Sequence, residues 1–389
     1  MSKKNDRLPM LQNSSSLDVP ASCGCGDGGG NGSPAQKICV GALRTLSILL
    51  YLFSWVANSE MLQGISNGTL CPGGVPYDKP AALTWMSYNF MMLSFLFVYP
   101  YAVFRRGWTF SHYMYRWAGR IGLAGAFAAC VAISYALLVL NVLYIVGLRH
   151  VSVATSNAIF QLQTPFIVGL SVWLLQDGFV MSEAAGVSVS LVGVALIVFP
   201  PLFDGNDGAD AANDLRSASV GVGATLGSAA IGAVYLTSWR VLSERKDVAP
   251  PVGAEGLADA LTTLGVIGVA NFLLGWPTLP AMHWAGMETF ELPPPSHWGI
   301  LIINALIEYA FDATCAVAIY ATSAVVTAAT APLTIPLAMV ADGVLYGTPI
   351  GSDGWGWVGA AAILVGAVLL EMKPNLCSCK RKPLCRTVK

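Results

Sequence analysis

Two acidic residues, Glu308 and Asp312, lie within a long apolar stretch and are the residues best suited to chemistry. They are four residues apart, which places both carboxylates on one face of a helix. An ionised acid in the middle of a membrane costs from about 2.5 kcal/mol upward, so both are expected to face a cavity or each other. Two carboxylates this close tend to share a proton. The pair is a candidate for proton coupling or for binding a cationic solute. The alternative is that Glu308 only makes a structural hydrogen bond to a neighbouring helix.

Four amide residues in the apolar segments extend the set of candidate solute-binding residues: Asn141, Asn157, Gln161 and Asn271. Buried amides in membrane proteins either hydrogen-bond a solute or hold neighbouring helices together. Gln161 and Gln163 point to different sides of a helix, so at most one of them is expected to face a cavity.

Two further acids and two prolines complete the candidates. Glu60 ends the first apolar segment and Asp342 lies in the ninth, and near the membrane interface an acid costs less. Glu60 is kept as a candidate for solute binding or coupling, whereas a structural role is favoured for Asp342. Pro165 and Pro336 each free a backbone carbonyl, which favours bending, so both are candidate hinge positions of a gate.

Ten apolar segments would position these residues, and each is long enough to cross about 30 Å of hydrocarbon. They predict an all-α integral membrane protein with ten transmembrane helices, at residues 38–62, 80–104, 121–147, 152–175, 183–203, 218–241, 259–282, 297–320, 322–346 and 354–372.

The distribution of basic residues predicts the orientation. Of the 21 Lys and Arg, 17 fall in tails and loops of one side, three fall in loops of the other side, and Arg44 lies inside the first segment. Because Lys and Arg concentrate on the cytosolic side, both ends of the chain are expected in the cytosol. Residues 1–37 are expected to form a disordered polar tail, and residues 373–389 a basic one.

An internal repeat indicates how the segments are arranged. At one constant offset along the chain, Asn141 aligns with Asp312 and Pro165 aligns with Pro336. With five segments before and five after the midpoint, the two copies would have opposite orientations in the membrane. We therefore predict two inverted five-helix repeats, residues 38–203 and 218–372, an arrangement typical of secondary transporters with the solute site between the repeats.

Composition narrows the function classes. The chain is 55% hydrophobic and 11% charged, against about 25% charged residues in soluble domains. The nine cysteines are scattered, so no metal site or cofactor is expected. No nucleophile–base pair, HExxH motif or phosphate loop is present, which argues against an enzyme. The net charge of −1 gives no indication of a nucleic-acid partner.

Several short motifs carry a family resemblance. Residues Leu333–Met339 (LTIPLAM), followed by Ala341-Asp342, resemble the ninth-span signature of the drug/metabolite transporter superfamily, in particular solute carrier 35 proteins of subfamily F type. Other matching pieces are WVANSE at 55–60, YDKP at 77–80, GVIGVANFLLGWP at 265–277 and ETFE at 288–291. The resemblance implies ten helices in two inverted repeats that work by alternating access. The chain departs from the family pattern at Cys315, at Ser323-Ala324 and at residues 160–163, so a relative's substrate cannot simply be transferred.

Three functions are compatible with the sequence. The leading hypothesis is a secondary transporter of a small cationic or neutral solute in an endomembrane of vacuolar or Golgi type. A thiamine-like solute and coupling of transport to protons are both compatible with this hypothesis. The second is a nucleotide-sugar or sugar-phosphate antiporter, although the spans lack the lysines that would compensate phosphate charge. The third is a non-transporting receptor or scaffold. The expected partners are a small solute and the lipid bilayer, and a homodimer is left open.

Overall fold

The computed structural model describes most of the predicted membrane region. The described residues are 34–174, 181–203, 211–245, 254–321, 327, 330–347 and 354–371. Residues 1–33 of the predicted N-terminal tail (1–37), all of the predicted C-terminal tail (373–389), residues 204–210 between the two predicted repeats and part of the ninth predicted span (322–326 and 328–329) lie outside them. The chain divides into two compact units, residues 1–41 and 42–389. In the first unit, residues 34–41 are helical, and all contacts discussed below lie within the second.

The regular elements of the described residues are helical. In chain order they are α1 (Pro34–Ser66), α2 (Pro80–Asn89), α3 (Phe95–Pro100), α4 (Phe110–Ala118), α5 (Gly122–Leu148), α6 (Val153–Phe160), α7 (Gln163–Leu174), α8 (Met181–Phe203), α9 (Ala211–Arg245), α10 (Ala254–Ala270), α11 (Thr278–Trp284), α12 (Trp298–Ala321), α13 (Thr334–Tyr346) and α14 (Trp355–Glu371).

Within the part of the chain that the structure describes, six helical segments are long and apolar enough to cross a membrane, and three shorter helices are apolar as well. The six are Arg44–Ser66, Pro80–Arg105, Gly122–Leu148, Arg216–Leu236, Glu255–Gly275 and Pro295–Ile319. The shorter ones are Ala184–Val198, Ala331–Leu345 and Trp355–Leu369. The predicted class, an all-α membrane protein, agrees with this architecture for the described residues.

The fourth predicted span is divided into two helices, α6 and α7, at Gln161 and Leu162. Pro165 explains the division, because proline has no N–H to donate to the carbonyl four residues earlier. The carbonyl of Gln161 instead accepts a hydrogen bond from the N–H of Thr164 at 3.1 Å. Pro336 lies similarly, four residues after the middle of the 3₁₀ turn Ala331–Leu333.

Irregular turns recur at a constant spacing along the chain. Wide π-helical turns occupy Tyr101–Arg105 and Asn271–Gly275. The break that begins at Gln161 and the turn that begins at Ala331 are separated by the same number of residues as the starts of these two wide turns. This separation is one residue shorter than the one between Asn141 and Asp312. Because helix boundaries are defined only to within one or two residues, the spacing of the turns agrees with the offset of the sequence repeat.

A buried apolar cluster joins the helices that carry the candidate residues. Val56 of α1, Leu83 of α2, Ile145 of α5, Leu301 of α12 and Ala338 of α13 all belong to it. Tight packing of such side chains leaves little freedom for helix rotation. The cluster therefore fixes which faces of α1, α5 and α12 are turned toward one another.

Glycines allow α8 and α14 to approach closely. A Cβ atom at Gly193 would lie 2.7 Å from the carbonyl oxygen of Gly359, and one at Gly366 would lie 2.8 Å from that of Gly186. Small residues let backbones meet in this way where lipid removes the hydrophobic drive for helix association. The last helices of the two predicted repeats are thus in direct contact.

Candidate functional site

Glu308 lies in the middle of α12 and is almost fully buried, at 3% exposure. One carboxylate oxygen accepts a hydrogen bond from Asn58 Nδ2 of α1 at 2.7 Å, and the other accepts from Asn141 Nδ2 of α5 at 3.4 Å. The Asn141 amide also donates to the hydroxyl of Tyr88 in α2 at 3.1 Å. Glu308 therefore joins α12 directly to α1 and α5, and Asn141 extends this network to α2.

Asp312 is one helical turn further along the same helix but has a different environment. The residue as a whole is half-buried, yet its Oδ2 atom is buried and has no hydrogen-bond partner among the described residues. Tyr88 and Tyr235, from α2 and α9, lie within electrostatic range of its carboxylate. Asp312 thus interacts electrostatically with helices of both predicted repeats. A buried acceptor without a partner is rare in folded proteins and calls for an explanation.

An aromatic cluster lies beside the two acids. The ring centroid of Trp55 is 5.5 Å from that of Phe311 and 5.9 Å from that of Phe160, in both cases edge to face. Tyr51 stacks on Phe311 at 6.1 Å, and Tyr144 contacts Phe160 at 5.6 Å. Aromatic faces attract cations through their quadrupole. Phe311 directly precedes Asp312 on α12, so this helix contributes both to the aromatic cluster and to the acidic pair.

Asn157 connects the aromatic cluster to α6. Its Oδ1 atom accepts hydrogen bonds from the indole N–H of Trp55 at 3.1 Å and from the hydroxyl of Tyr144 at 2.8 Å. The Nδ2 atom of Asn157 and the Nε2 atom of Gln161 are both buried without a hydrogen-bond partner among the described residues. Gln163 lies elsewhere, with its amide against Gly232 of α9.

Asn271 has contacts that hold helices together. Its amide donates to the backbone carbonyl of Trp85 at 2.9 Å and to Asn89 Oδ1 at 2.8 Å. The indole N–H of Trp85 in turn donates to the backbone carbonyl of Asn271 at 3.2 Å. These bonds join the wide turn after α10 to α2. The geometry therefore favours a structural role for this candidate residue.

The remaining acidic candidates lie toward one end of the helices. Asp342 accepts the backbone N–H of Ala154 at 3.1 Å, which caps the first turn of α6. A carboxylate at a helix N-terminus is stabilised by the helix dipole, in line with the structural role expected from the sequence. Glu60 is buried in α1 near Tyr144, two residues beyond Asn58.

At the same end, the loop before α12 is tied to the start of α2. Glu288 accepts the N–H groups of Ala81 and Ala82 at 2.8 and 3.0 Å, and its partial burial raises the pKa of its carboxyl group. Glu291 accepts from Lys79 Nζ at 2.9 Å, and this hydrogen bond lowers the pKa of Glu291. Contacts between the two predicted repeats therefore hold the loop before α12 against the start of α2 at this end of the helices.

Sequence reasoning did not select Asn58, Trp55, Phe311 or Tyr88 as site residues, and it noted Phe160 only as part of the departure from the family pattern at residues 160–163. Asn58 was detectable in principle, because it is an amide in the middle of an apolar segment. The aromatic residues were not, since aromatic residues are common on the faces of membrane helices that meet lipid. Among the described residues, no group of three or more His, Cys, Asp or Glu could hold a metal ion.

Comparison with known proteins yields several membrane relatives, although no family model matches the chain. The thiamine-repressible mitochondrial transport protein THI74 of Saccharomyces cerevisiae is 30% identical over 198 residues, which cover 50% of each chain. Solute carrier family 35 member F5 of Bos taurus is 30% identical over 171 residues, covering 43% of this chain and 28% of the relative. An uncharacterized transporter of Schizosaccharomyces pombe is 27% identical over 204 residues, covering 52% and 56%. The alignments thus span between 28% and 56% of the length of these relatives.

Fold and relatives together define a multi-pass α-helical membrane protein. These similarities are consistent with a member of the drug/metabolite transporter superfamily close to its solute carrier 35 F branch, which the motifs at 333–342 and 55–60 also resemble.

Proposed function

We propose that the protein is a secondary transporter that moves a small organic cation across an endomembrane by alternating access. The observation that carries this proposal is the buried Oδ2 atom of Asp312, which has no hydrogen-bond partner among the described residues and lies on the helix that contributes Phe311 to the aromatic cluster. A carboxylate next to aromatic faces binds an organic cation by charge and by cation–π attraction. The relatives named as transporters support the same class of activity.

Glu308 and Asp312 have different roles in this proposal. Both carboxylate oxygens of Glu308 already accept amide hydrogen bonds, so its role is to hold α1, α5 and α12 in position. Asp312 is the exchangeable group. An ionised acid at this depth is costly until a positive charge neutralises it. A cation would neutralise it on the outward journey and a proton on the return, which makes transport an exchange of cation for proton.

The ten-helix inverted repeat is part of this proposal. Shifted by the offset that takes Asn141 to Asp312, Arg44–Ser66 becomes 215–237, close to Arg216–Leu236. The same shift takes Gly122–Leu148 to 293–319, close to Pro295–Ile319. The recurrence of the irregular turns supports the same register. Helices from inverted repeats can form two equivalent half-channels, which open in turn to the two sides.

The gate would use the two broken helices. The break between α6 and α7 precedes Pro165, and the 3₁₀ turn precedes Pro336. Both places already lack a regular backbone hydrogen bond, so bending there breaks few further backbone hydrogen bonds. The cap of Asp342 on α6 joins the two helices on one side of the breaks and would have to open for access from that end.

The nucleotide-sugar alternative is not supported at the site. The segments 44–66, 122–148 and 295–319, which carry Asn58, Asn141, Glu308 and Asp312, contain a single basic side chain of Lys or Arg type, Arg44, at the very start of the first. Phosphate groups need fixed cations for compensation.

The distribution of Lys and Arg along the chain supports a cytosolic placement of both termini.

Uptake into proteoliposomes tests the proposal. Purified protein is reconstituted with an inward-directed gradient of tritiated thiamine, used as a probe cation, and an opposed proton gradient. Wild type should accumulate the probe and Asp312→Asn should not, while both should be monodisperse in detergent. Asp78→Asn is the matched control, because Asp78 pairs with Arg149 at the exposed end of the helices.

Two results would overturn the proposal. Undiminished uptake by Asp312→Asn would remove the assignment of the acid. Absence of uptake of this probe and of a panel of aromatic ammonium ions by wild type would favour the receptor or scaffold alternative.

A further inference from the structure

The strongest unexplained feature outside the two acids is a pair of buried amide donors at the end of α6. Asn157 is fully buried and Gln161 is 8% exposed. They are four residues apart, the N–H of Gln161 donates to the carbonyl of Asn157 at 3.1 Å, and both therefore share a face. The side-chain NH₂ groups of both residues are buried without a partner among the described residues.

The orientation of the Asn157 amide follows from its partners. The indole N–H of Trp55 is a donor only, so the Asn157 atom 3.1 Å from it must be the carbonyl oxygen. The hydroxyl of Tyr144 donates to the same oxygen at 2.8 Å. The NH₂ group is consequently turned away from both partners and retains two hydrogens to donate.

Trp55 links these donors to the acid. It contacts Asn157 by its hydrogen bond, and its ring meets both Phe160 on α6 and Phe311 on α12. Gln161 directly follows Phe160, and Asp312 directly follows Phe311. Trp55 thus connects α6, which carries donors without a partner among the described residues, with α12, which carries the Asp312 acceptor.

We propose that Asn157 and Gln161 select solutes that carry a hydrogen-bond acceptor in addition to a positive charge. The substrate class is then a heteroaromatic cation, with its charged group at Asp312, its ring among the aromatic residues and a ring nitrogen or oxygen at the amides. This inference rests on the proposed function and deepens it.

The physical basis is the cost of leaving buried donors unpaired. A site built to hydrogen-bond a ligand atom rejects the analogue that lacks this atom, because the protein groups then stay buried without partners. A cation with a plain hydrocarbon ring would satisfy Asp312 but neither amide. Such a cation is expected to bind roughly tenfold more weakly than its heteroaromatic counterpart.

A matched pair of probes tests the inference. Benzyltrimethylammonium and (pyridin-3-ylmethyl)trimethylammonium have the same charge and nearly the same shape, and differ in one ring nitrogen. Their affinities for the purified full-length protein are measured by isothermal titration calorimetry. Wild type should bind the pyridyl probe about tenfold more tightly.

Two variants should abolish this preference. Gln161→Met removes a donor at constant length. Asn157→Asp keeps the oxygen that accepts from Trp55 and Tyr144 while removing the NH₂ group. In both variants the ratio of the two affinities should fall to about one. Gln163→Met is the matched control, since its amide lies against Gly232, and should keep the wild-type ratio.

The outcomes separate this inference from the proposed function. Equal wild-type affinities for the two probes, or an unchanged ratio in Gln161→Met, would overturn the inference even though binding of both probes is lost in Asp312→Asn. Failure of wild type to bind either probe, or full binding by Asp312→Asn, would overturn the proposed function itself.

Discussion

Neutralising the two acids one at a time should have opposite effects on stability. Glu308→Gln replaces one carboxylate oxygen by an NH₂ group, so only one of the two amide donors, Asn58 or Asn141, can keep an acceptor. A buried donor left unpaired costs about 1–3 kcal/mol, and the lost bond was to a charged group. Part of this cost is offset by removal of a buried charge. We expect a net destabilisation of roughly 1–3 kcal/mol.

Asp312→Asn should not destabilise the protein. Its buried Oδ2 atom has no hydrogen bond to lose among the described residues. Removing a buried, uncompensated carboxylate is itself favourable. The apparent melting temperature of this variant should therefore equal or exceed that of wild type, although transport is lost.

Thermal unfolding in nanodiscs, followed by tryptophan fluorescence at a fixed scan rate, measures both changes. Asn58→Ala provides an internal check. It removes one of the two donors to Glu308, so in the double variant the single remaining oxygen can accept from Asn141, and the destabilisation should be smaller than the sum of the single variants. Stability of Glu308→Gln equal to wild type, or a large loss in Asp312→Asn, would refute the division of roles between the two acids.

Three further predictions concern other parts of the structure. Gly193→Val should lower the melting temperature markedly, because a Cβ atom there would meet the backbone of the opposing helix. Gly223→Val is the control and should be neutral, because open space surrounds Gly223. An equal fall in melting temperature for the two variants would contradict the close packing of α8 on α14. Glu291 contributes a small stabilisation that is present above its ordinary pKa of 4.5 and is lost as the pH falls through its lowered folded-state value, since Lys79 favours the ionised form. Glu291→Gln should therefore flatten the pH dependence of melting slightly below pH 4.5, and an unchanged profile would refute this. Trp55→Phe keeps a ring but loses the indole hydrogen bond, and should weaken binding of the pyridyl probe by about fivefold; unaltered affinity would argue against its role.

Hydropathy and the number of charged residues were sufficient to predict that the protein is an all-α membrane protein. Apolar segments of membrane length at 44–66, 80–105, 122–148, 216–236, 255–275 and 295–319 recur as helices close to their predicted bounds. This succeeds because a backbone in lipid must satisfy its own hydrogen bonds, so that a long apolar run has few alternatives to a helix. The division of the fourth segment at Gln161 was not predicted, although Pro165 gave a reason to expect bending.

The arrangement of the site was only partly visible in the sequence. The spacing of Glu308 and Asp312 placed them on one face, and the internal repeat set Asn141 at the position matching Asp312. The structure adds that Asn141 and Asn58 contact Glu308 and leave the buried Oδ2 atom of Asp312 unpaired among the described residues. This difference depends on how α1 and α5 are rotated about their axes, which is fixed by packing with helices distant in sequence. No local pattern encodes it.

Equilibrium binding of a labelled cation tests the central claim most directly. With tritiated benzyltrimethylammonium and protein in nanodiscs, wild type should show saturable binding of about one cation per chain, which falls as the pH is lowered because protons compete for Asp312. Asp312→Asn should lose this binding by tenfold or more while Glu308→Gln, at a temperature where it is folded, retains a measurable part. Binding to Asp312→Asn with the wild-type affinity and pH dependence would contradict the account.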